Sequence, residues 1–309
     1  MTTFGLGLAA LGRPAYINVG RAEALPAERS VDAMRAASWA VLDSAYDSGV
    51  RWVDAARSYG LAEEFLAGWL DRRGHRDVTV SSKWGYAYVG GWRLDAEVHE
   101  AKEHSLARFR RQYRESRELL GGHLTVYQVH SLVPDSPLFE DGPLLEALAA
   151  AAADGVRIGF STSGPGQART IRRALDVEVS GRPLFSTVQS TWNLLEPSVG
   201  PALGEARARG LHVIVKEGLG NGRLAVEPPA ALHRLADRLG VTADAVSLAA
   251  IAAQPWAGTV LSGAADPHQL ISNLRAGSLA LGRGDLDALS SLSMDPERYW
   301  AERGRLPWS

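Results

Sequence analysis

Eight apolar, strand-like runs, each followed by residues at helical spacing, recur along 309 residues with no linker between them. Strands alternating with helices imply parallel pairing through right-handed crossovers. One α/β barrel of roughly 250 residues with extensions accommodates the length. The sequence therefore predicts an α/β protein folded as a single domain over residues 1–309. Its expected form is a (β/α)8 TIM barrel with extra C-terminal helices and a tail over about residues 277–309. A doubly wound sheet is the competing architecture. The repetition is structural only, because no fixed-period repeat is present and low complexity is confined to the alanine run at 149–153.

Residues 4–11 read as a first strand carrying Gly5 and Gly7, followed by a polar, Pro-containing loop to Arg29. Met34, Ala37, Val41, Leu42 and Ala45 then share one face of a helix that Gly49 stops. Residues 51–54 form the second strand, and Leu61, Phe65, Leu66 and Trp69 lie on one side of a helix ending before Gly74. Residues 78–83 are a β-branched third strand. A Gly- and aromatic-rich loop over 84–93 follows, and then a long charged helix expected from about 95 to 120.

Strands four to eight fall at 124–130, 157–161, 185–189, 211–215 and 258–261. Between them, alanine-rich 144–153 is a strong helix former, and 167–175 and 197–209 repeat the unit. Pro228 and Pro229 suit a first helical turn leading into the stripe Leu232, Leu235, Ala236 and Leu239. Thr242 is placed to cap a second helix, halted before Pro255. Short helices are expected after Asp266 and Gly284. The tail at 295–309, rich in Trp and Arg, either folds over the barrel mouth or packs on its outside.

A composition of 46% hydrophobic and 22% charged residues is that of a globular chain able to bury a large core. A formal charge of −2 gives no footprint for nucleic acid or an anionic membrane. The absence of cysteine removes disulfides, thiolate catalysis and cysteine zinc sites. No apolar run approaches about 18 residues, and the first residues lack the basic and apolar regions of a signal peptide. A cytoplasmic protein is the expectation.

Polar residues end strands two, three and four: Asp54, Lys83 and His130, with Tyr59 just past the first. Neighbouring parallel strands lie about 4.8 Å apart, so these ends reach one small ligand. A lysine beside Asp54 stays charged, and its charge is expected to lower the tyrosine pKa from about 10 toward neutrality. Such a tyrosine donates a proton, while a histidine beside it holds a carbonyl oxygen as negative charge develops. A Lys-Asp pair alone is more often structural. Three successive strand ends together favour chemistry.

The segments Gly5-Leu-Gly-Leu-Ala-Ala-Leu-Gly12, Val53-Asp-Ala-Ala-Arg-Ser-Tyr-Gly60, Ser82-Lys-Trp-Gly85, Tyr127-Gln-Val-His130 and Val188-Gln-Ser-Thr-Trp-Asn-Leu-Leu195 resemble the aldo-keto reductase family. The resemblance spans residues 4–276. It implies a (β/α)8 barrel and reversible hydride transfer between a nicotinamide cofactor and a small-molecule carbonyl. On that basis Tyr59 is the general acid, Lys83 tunes it, Asp54 pairs with Lys83, and His130 orients the carbonyl.

The resemblance also implies a cofactor site. Gln189 matches the residue that meets the nicotinamide carboxamide, with Ser161 and Thr162 where a Ser-Asn pair is usual. Lys216 stands where an aromatic ring commonly stacks on the nicotinamide, and Trp192 is the other candidate ring. Gly7 allows close approach, and Gly218, Leu219 and Gly220 offer backbone to a pyrophosphate. Gly263, Gln269 and Asn273 fit the adenosine pattern, but Ala265 and Ser272 replace its basic and acidic members. Arg275 or His268 is then left to supply a charge. The expected cofactor is NADPH, with NADH also compatible. Trp84, Tyr86 and Ser131 are candidate substrate contacts.

Other readings of the sequence compete with this one. Gly5-Leu-Gly-Leu-Ala-Ala10 matches the dinucleotide fingerprint only formally, since four residues precede it and Pro14 follows. His99, His104 and His123 read as surface or packing residues, and no metal is expected. A non-catalytic subunit that binds nicotinamide nucleotide, an NAD-dependent sugar dehydrogenase, and a lyase using Lys83 as a Schiff base are the alternative functions.

Overall fold

The computed structural model describes residues 2–308. Eight parallel strands close into a barrel in sequence order: β1 (Thr3–Gly7), β2 (Trp52–Asp54), β3 (Thr79–Trp84), β4 (Leu124–Leu132), β5 (Arg157–Thr162), β6 (Thr187–Thr191), β7 (His212–Lys216) and β8 (Thr259–Ser262). β8 returns beside β1, with Thr3 paired to Thr259 and Leu6 to Ser262. The (β/α)8 barrel is the observed architecture, and a doubly wound sheet is excluded by that closure.

Helices cover the strands through an apolar layer. Val31–Asp47 buries Met34, Val41, Leu42 and Ala45, and Ser30 caps it by accepting from Ala33 N. Ala62–Arg73 buries Phe65, Leu66, Trp69 and Leu70 and ends at Gly74, whose φ of 70° suits glycine. Trp39 and Trp69 serve that packing, donating to Phe65 O and Asp43 Oδ1. Inside the barrel, Trp52, Val126, Ile214 and Leu261 form a separate cluster. It closes the floor beneath Asp54, as side-chain layers do in such barrels.

Three local readings change. The first strand stops at Gly7, because Leu11 N and Gly12 N both turn back to Leu8 O. The helix expected from 95 begins instead at Leu106, where the Ser105 side chain caps it by accepting from Arg108 N. The preceding residues form a hairpin, Tyr86–Tyr88 antiparallel to Glu100–Lys102. A second small hairpin, Glu178–Val179 with Arg182–Pro183, lies between helix Gln167–Leu175 and β6.

Two glycines fix the Tyr59 loop against the first strand's loop. A Cβ on Gly12 would meet Tyr59 O at 2.2 Å, and one on Gly60 would meet Gly12 O at 2.4 Å. Leu61 N donates to Gly12 O at 2.7 Å across the contact. Any side chain there would push Tyr59 off the barrel mouth. At the other end of the chain, the helices Arg283–Ser290 and Pro296–Arg303 follow the barrel. Tyr299 anchors the second of them, fully buried, with Asn193 Nδ2 donating to its hydroxyl at 2.9 Å. Among the described residues no helix is long and apolar enough to cross a membrane.

Candidate active site

Asp54 is the last residue of β2, and its register partners Gly7 and Ser81 place it at the carboxyl edge of the barrel. Its carboxylate is 2% exposed and takes four donors. Lys83 Nζ forms an ion pair with Oδ2, while Oδ1 accepts from Ser81 Oγ at 2.7 Å, Gln189 Nε2 at 3.0 Å and Gln128 Nε2 at 3.3 Å. A buried carboxylate needs such donors to stay charged. Lys83 also donates to Ala55 O at 2.9 Å and stands 4.8 Å from the centroid of the Tyr59 ring.

Tyr59 and His130 face the cavity above that pair. The rings meet edge to face, 5.5 Å apart at 84°. Among the described residues the Tyr59 hydroxyl has no hydrogen-bond partner, and His130 uses only Nδ1, 3.3 Å from Ser58 Oγ. Its Nε2 is left to the cavity. Arg13, 1% exposed, holds the Tyr59 loop from the other side: its guanidinium donates to Ser58 O at 3.1 Å and lies 5.1 Å over the Tyr59 ring.

The electrostatics differ from the sequence expectation. Burial, and then the Asp54 charge, push the Tyr59 phenol well above its usual pKa. Lys83 does not reverse this, since its ammonium is paired with Asp54 and donates also to Ala55 O. The consequence is a phenol that keeps its proton at neutral pH, the state a proton donor needs. Burial, reinforced by Lys83 and Lys216, holds His130 well below the usual imidazole value, so the ring is neutral.

These groups open onto one cavity of about 640 Å³ that runs from Arg13, Tyr16 and Tyr86 past Gln189 to the loops after β7 and β8. That volume falls within the roughly 300–1,000 Å³ usual for small-molecule sites. The model of the Aldo/keto reductase family matches residues 5–293. The chain belongs to the aldo/keto reductase family. It is accordingly an NAD(P)H-dependent oxidoreductase of carbonyl compounds. Two solved structures share the fold. One is an aldo-keto reductase of Bacillus halodurans in its holo form, 19% identical, with TM-score 0.70 over 96% of this chain and 94% of that one. The other, from Pseudomonas aeruginosa and also described as an aldo-keto reductase, is 22% identical with TM-score 0.63 over 89% of each chain. No curated protein sequence matches.

In this aldo/keto reductase part of the proposed cofactor set reaches the cavity. Gly7, Gln189, Lys216, Gly218, Leu219, Gly263, Gln269 and Asn273 line the cavity. Gln189 faces inward from β6, so Trp192, three residues on, faces out and packs edge-on against Trp256 at 5.7 Å. Trp84 likewise alternates with Lys83: it is fully buried against Phe109 and His104 and is not part of the lining of this cavity. Ser161 and Thr162 lie off the cavity too, Ser161 Oγ accepting from Ser131 N at 2.9 Å and Thr162 bonded to Ser190 Oγ at 2.7 Å. Gly220 sits in a turn outside the lining, whereas Tyr86 and Ser131 do line it.

The residues present fit a nicotinamide nucleotide. Gln189 donates its amide to Asp54, which leaves a buried Oε1 without a partner beside the cavity, an acceptor suited to a carboxamide N–H. Asn221 Oδ1 in the loop after β7 is orphaned in the same way. Lys216 offers an ammonium where a ring was the family expectation. It donates to Thr191 Oγ1 at 2.8 Å, and burial, opposed by Glu217, brings its pKa down to about 8.

Arg13, Tyr16, Glu100, Lys102 and Glu217 line the cavity without a sequence signal that singles them out, and the tail, expected either over the mouth or on the outside, contributes Arg303 and Trp308 to the lining. Arg13 bonds Glu100 at 2.8 Å, and Trp308 stacks on His99 at 4.2 Å. Hairpin and tail bring them to the mouth from stretches 87 and 295 residues beyond Arg13, separations no local pattern encodes. The Ser105 cap was the one local signal that could have revealed the hairpin.

Proposed function

We propose that this chain reduces an aldehyde or ketone, or oxidises the matching alcohol, with Tyr59 as general acid and base. The observation that carries the reading is the pairing of two cavity-facing groups, the Tyr59 hydroxyl and His130 Nε2, neither of which has a partner among the described residues. A carbonyl oxygen held between them receives a hydrogen bond from the neutral imidazole and the proton from the phenol. Developing negative charge on that oxygen is stabilised by these two donors, held in place beforehand by Ser58 and by the loop above the Lys83–Asp54 pair.

A bound nicotinamide cofactor supplies the hydride. Gln189 and Lys216 are the side chains beside which its ring would rest, and the backbone of Gly218 and Leu219 would meet its phosphates. Tyr16, Tyr86 and Trp308 form the aromatic outer wall for the rest of the substrate. A Schiff base on Lys83 is disfavoured, because its ammonium is held by Asp54 and Ala55 and lies off the cavity.

The test is loss of nicotinamide absorbance across a carbonyl panel, with cofactor affinity measured separately. Tyr59→Phe should lower kcat by about 100-fold or more while cofactor affinity holds. Equal turnover by wild type and variant would remove Tyr59 from the role. Tight cofactor binding without turnover on any carbonyl would instead favour the nucleotide-sensing subunit.

A further inference from the structure

The cavity continues well beyond Tyr59 and His130. It passes the loop after β7 and reaches the loop after β8, where Ser262, Gly263 and Ala264 lead to the helix Pro267–Leu274. Loops after strands seven and eight are where α/β barrels frequently hold a phosphate. With a nicotinamide beside Gln189, the pyrophosphate would fall between these loops, and His268, Gln269, Ser272, Asn273 and Asp244 would hold the adenosine end.

Among the described residues no Lys or Arg lines that end. Arg275 is exposed and off the cavity, and His268 is exposed at its rim. Asn273 Nδ2 is committed to Ser262 Oγ at 2.8 Å, and Gln269 Oε1 accepts from Ala265 N at 2.9 Å. Asp244 is different. Its side chain lines the cavity at 9% exposure, and among the described residues no hydrogen bond or ion pair reaches its carboxylate. An acid in the first turn of the helix Ala243–Ala252 suits the helix dipole. The dipole accounts for the residue type, but not for a carboxylate set against a cavity with no donor.

We propose that Asp244 makes this cavity selective for NADH over NADPH, by accepting from the ribose hydroxyls of the former and repelling the 2′-phosphate of the latter. The proposal rests on the nicotinamide-nucleotide reading of the same cavity. Its physical basis is the division seen in the doubly wound nucleotide folds, where an acid takes the free ribose diol and an arginine the 2′-phosphate. Here the acid is present and the arginine is not. A phosphate beside an unpaired carboxylate in a partly buried site meets a repulsion that nothing nearby offsets. The preference therefore runs opposite to the NADPH that the family resemblance suggests.

The experiment is a titration of intrinsic tryptophan fluorescence with NADH and NADPH, repeated with adenosine 5′-monophosphate and adenosine 2′,5′-bisphosphate. NADH should bind about tenfold more tightly or better, with the same order for the two fragments. Salt should narrow the gap by screening the repulsion. Asp244→Asn should tighten NADPH and weaken NADH until the two are within about threefold. Ser272→Arg, at a half-buried position on the same wall, gives an independent arm in which NADPH gains about tenfold. Wild-type affinity for NADPH equal to or above that for NADH overturns the proposal and leaves the oxidoreductase reading standing. Failure of both dinucleotides to bind overturns both.

Discussion

Glu217, at the end of β7, grips Arg303 of the last helix through two hydrogen bonds, 2.8 Å from Nε and 2.5 Å from Nη2. Burial pushes the Glu217 carboxyl upward, but the Arg303 and Lys216 charges outweigh it and hold the group well below the usual carboxylate range. A depressed acid contributes stability that is present above its unfolded value and lost as pH falls toward the folded one. Arg303→Met leaves Glu217 buried with only Lys216 at 3.4 Å. The variant should lose about 2–3 kcal/mol at pH 7, at the low end for a broken buried pair because Lys216 remains. Urea unfolding should also show a shallower acid slope below about pH 4.5 than in the wild type.

Asp54 has four donors and Lys83 has two acceptors, and this asymmetry ranks their variants. In Lys83→Met the carboxylate keeps Ser81, Gln128 and Gln189. In Asp54→Asn a buried ammonium keeps Ala55 O alone, and the new amide N–H₂ confronts donors. Asp54→Asn should cost about 3–5 kcal/mol, and Lys83→Met about 1–2 kcal/mol less. Urea midpoints at unchanged slope would check it. The reverse order would mean that the three neutral donors do not hold the carboxylate.

Asp54, Lys83 and His130 were legible because each ends an apolar run, and parallel closure brings consecutive strand ends together. The same period of two, applied strictly, would have turned Trp84 and Trp192 away from the mouth, since each alternates with an inward residue. The Tyr59 pKa was not legible, because its direction is set by burial and then by the Asp54 charge, which depend on the folded surroundings of the phenol. The rim was hidden for another reason. Arg13, Glu100 and Arg303 are ordinary loop or helix charges until a hairpin and a terminal helix, both tertiary features, set them around one opening.

Among the described residues Ser58 is the one partner of the His130 ring nitrogens, through Nδ1. With the hydroxyl donating there, Nε2 carries the proton that a carbonyl oxygen needs. Ser58→Ala frees the tautomer and the ring angle. It should lower kcat/KM about tenfold, the value of one such hydrogen bond, with cofactor affinity unchanged. Imidazole nitrogen chemical shifts would show the tautomer becoming mixed; an unshifted Nε2–H signal would remove Ser58 from the positioning role.

His104 gives the fold a second acid sensitivity, distinct from that of Glu217. Its ring bridges Ser136 Oγ at 3.0 Å and the backbone oxygen of His130 at 2.9 Å, joining the start of helix Leu106–Leu120 to the end of β4. Burial, helped by Lys102 and opposed by the bond to His130 O, brings its pKa down to about 4. The unfolded chain therefore takes up this proton first. Stability from His104 is fully present above the unfolded value of about 6.5 and drains away as pH falls toward 4, by about 3 kcal/mol in all. His104→Gln preserves one donor and one acceptor but cannot titrate. Its unfolding free energy should start lower than wild type at pH 7.5 and fall less between pH 6.5 and 4.5. Parallel curves for the two proteins across that window would show that another buried histidine, with His130 first in line, carries the slope.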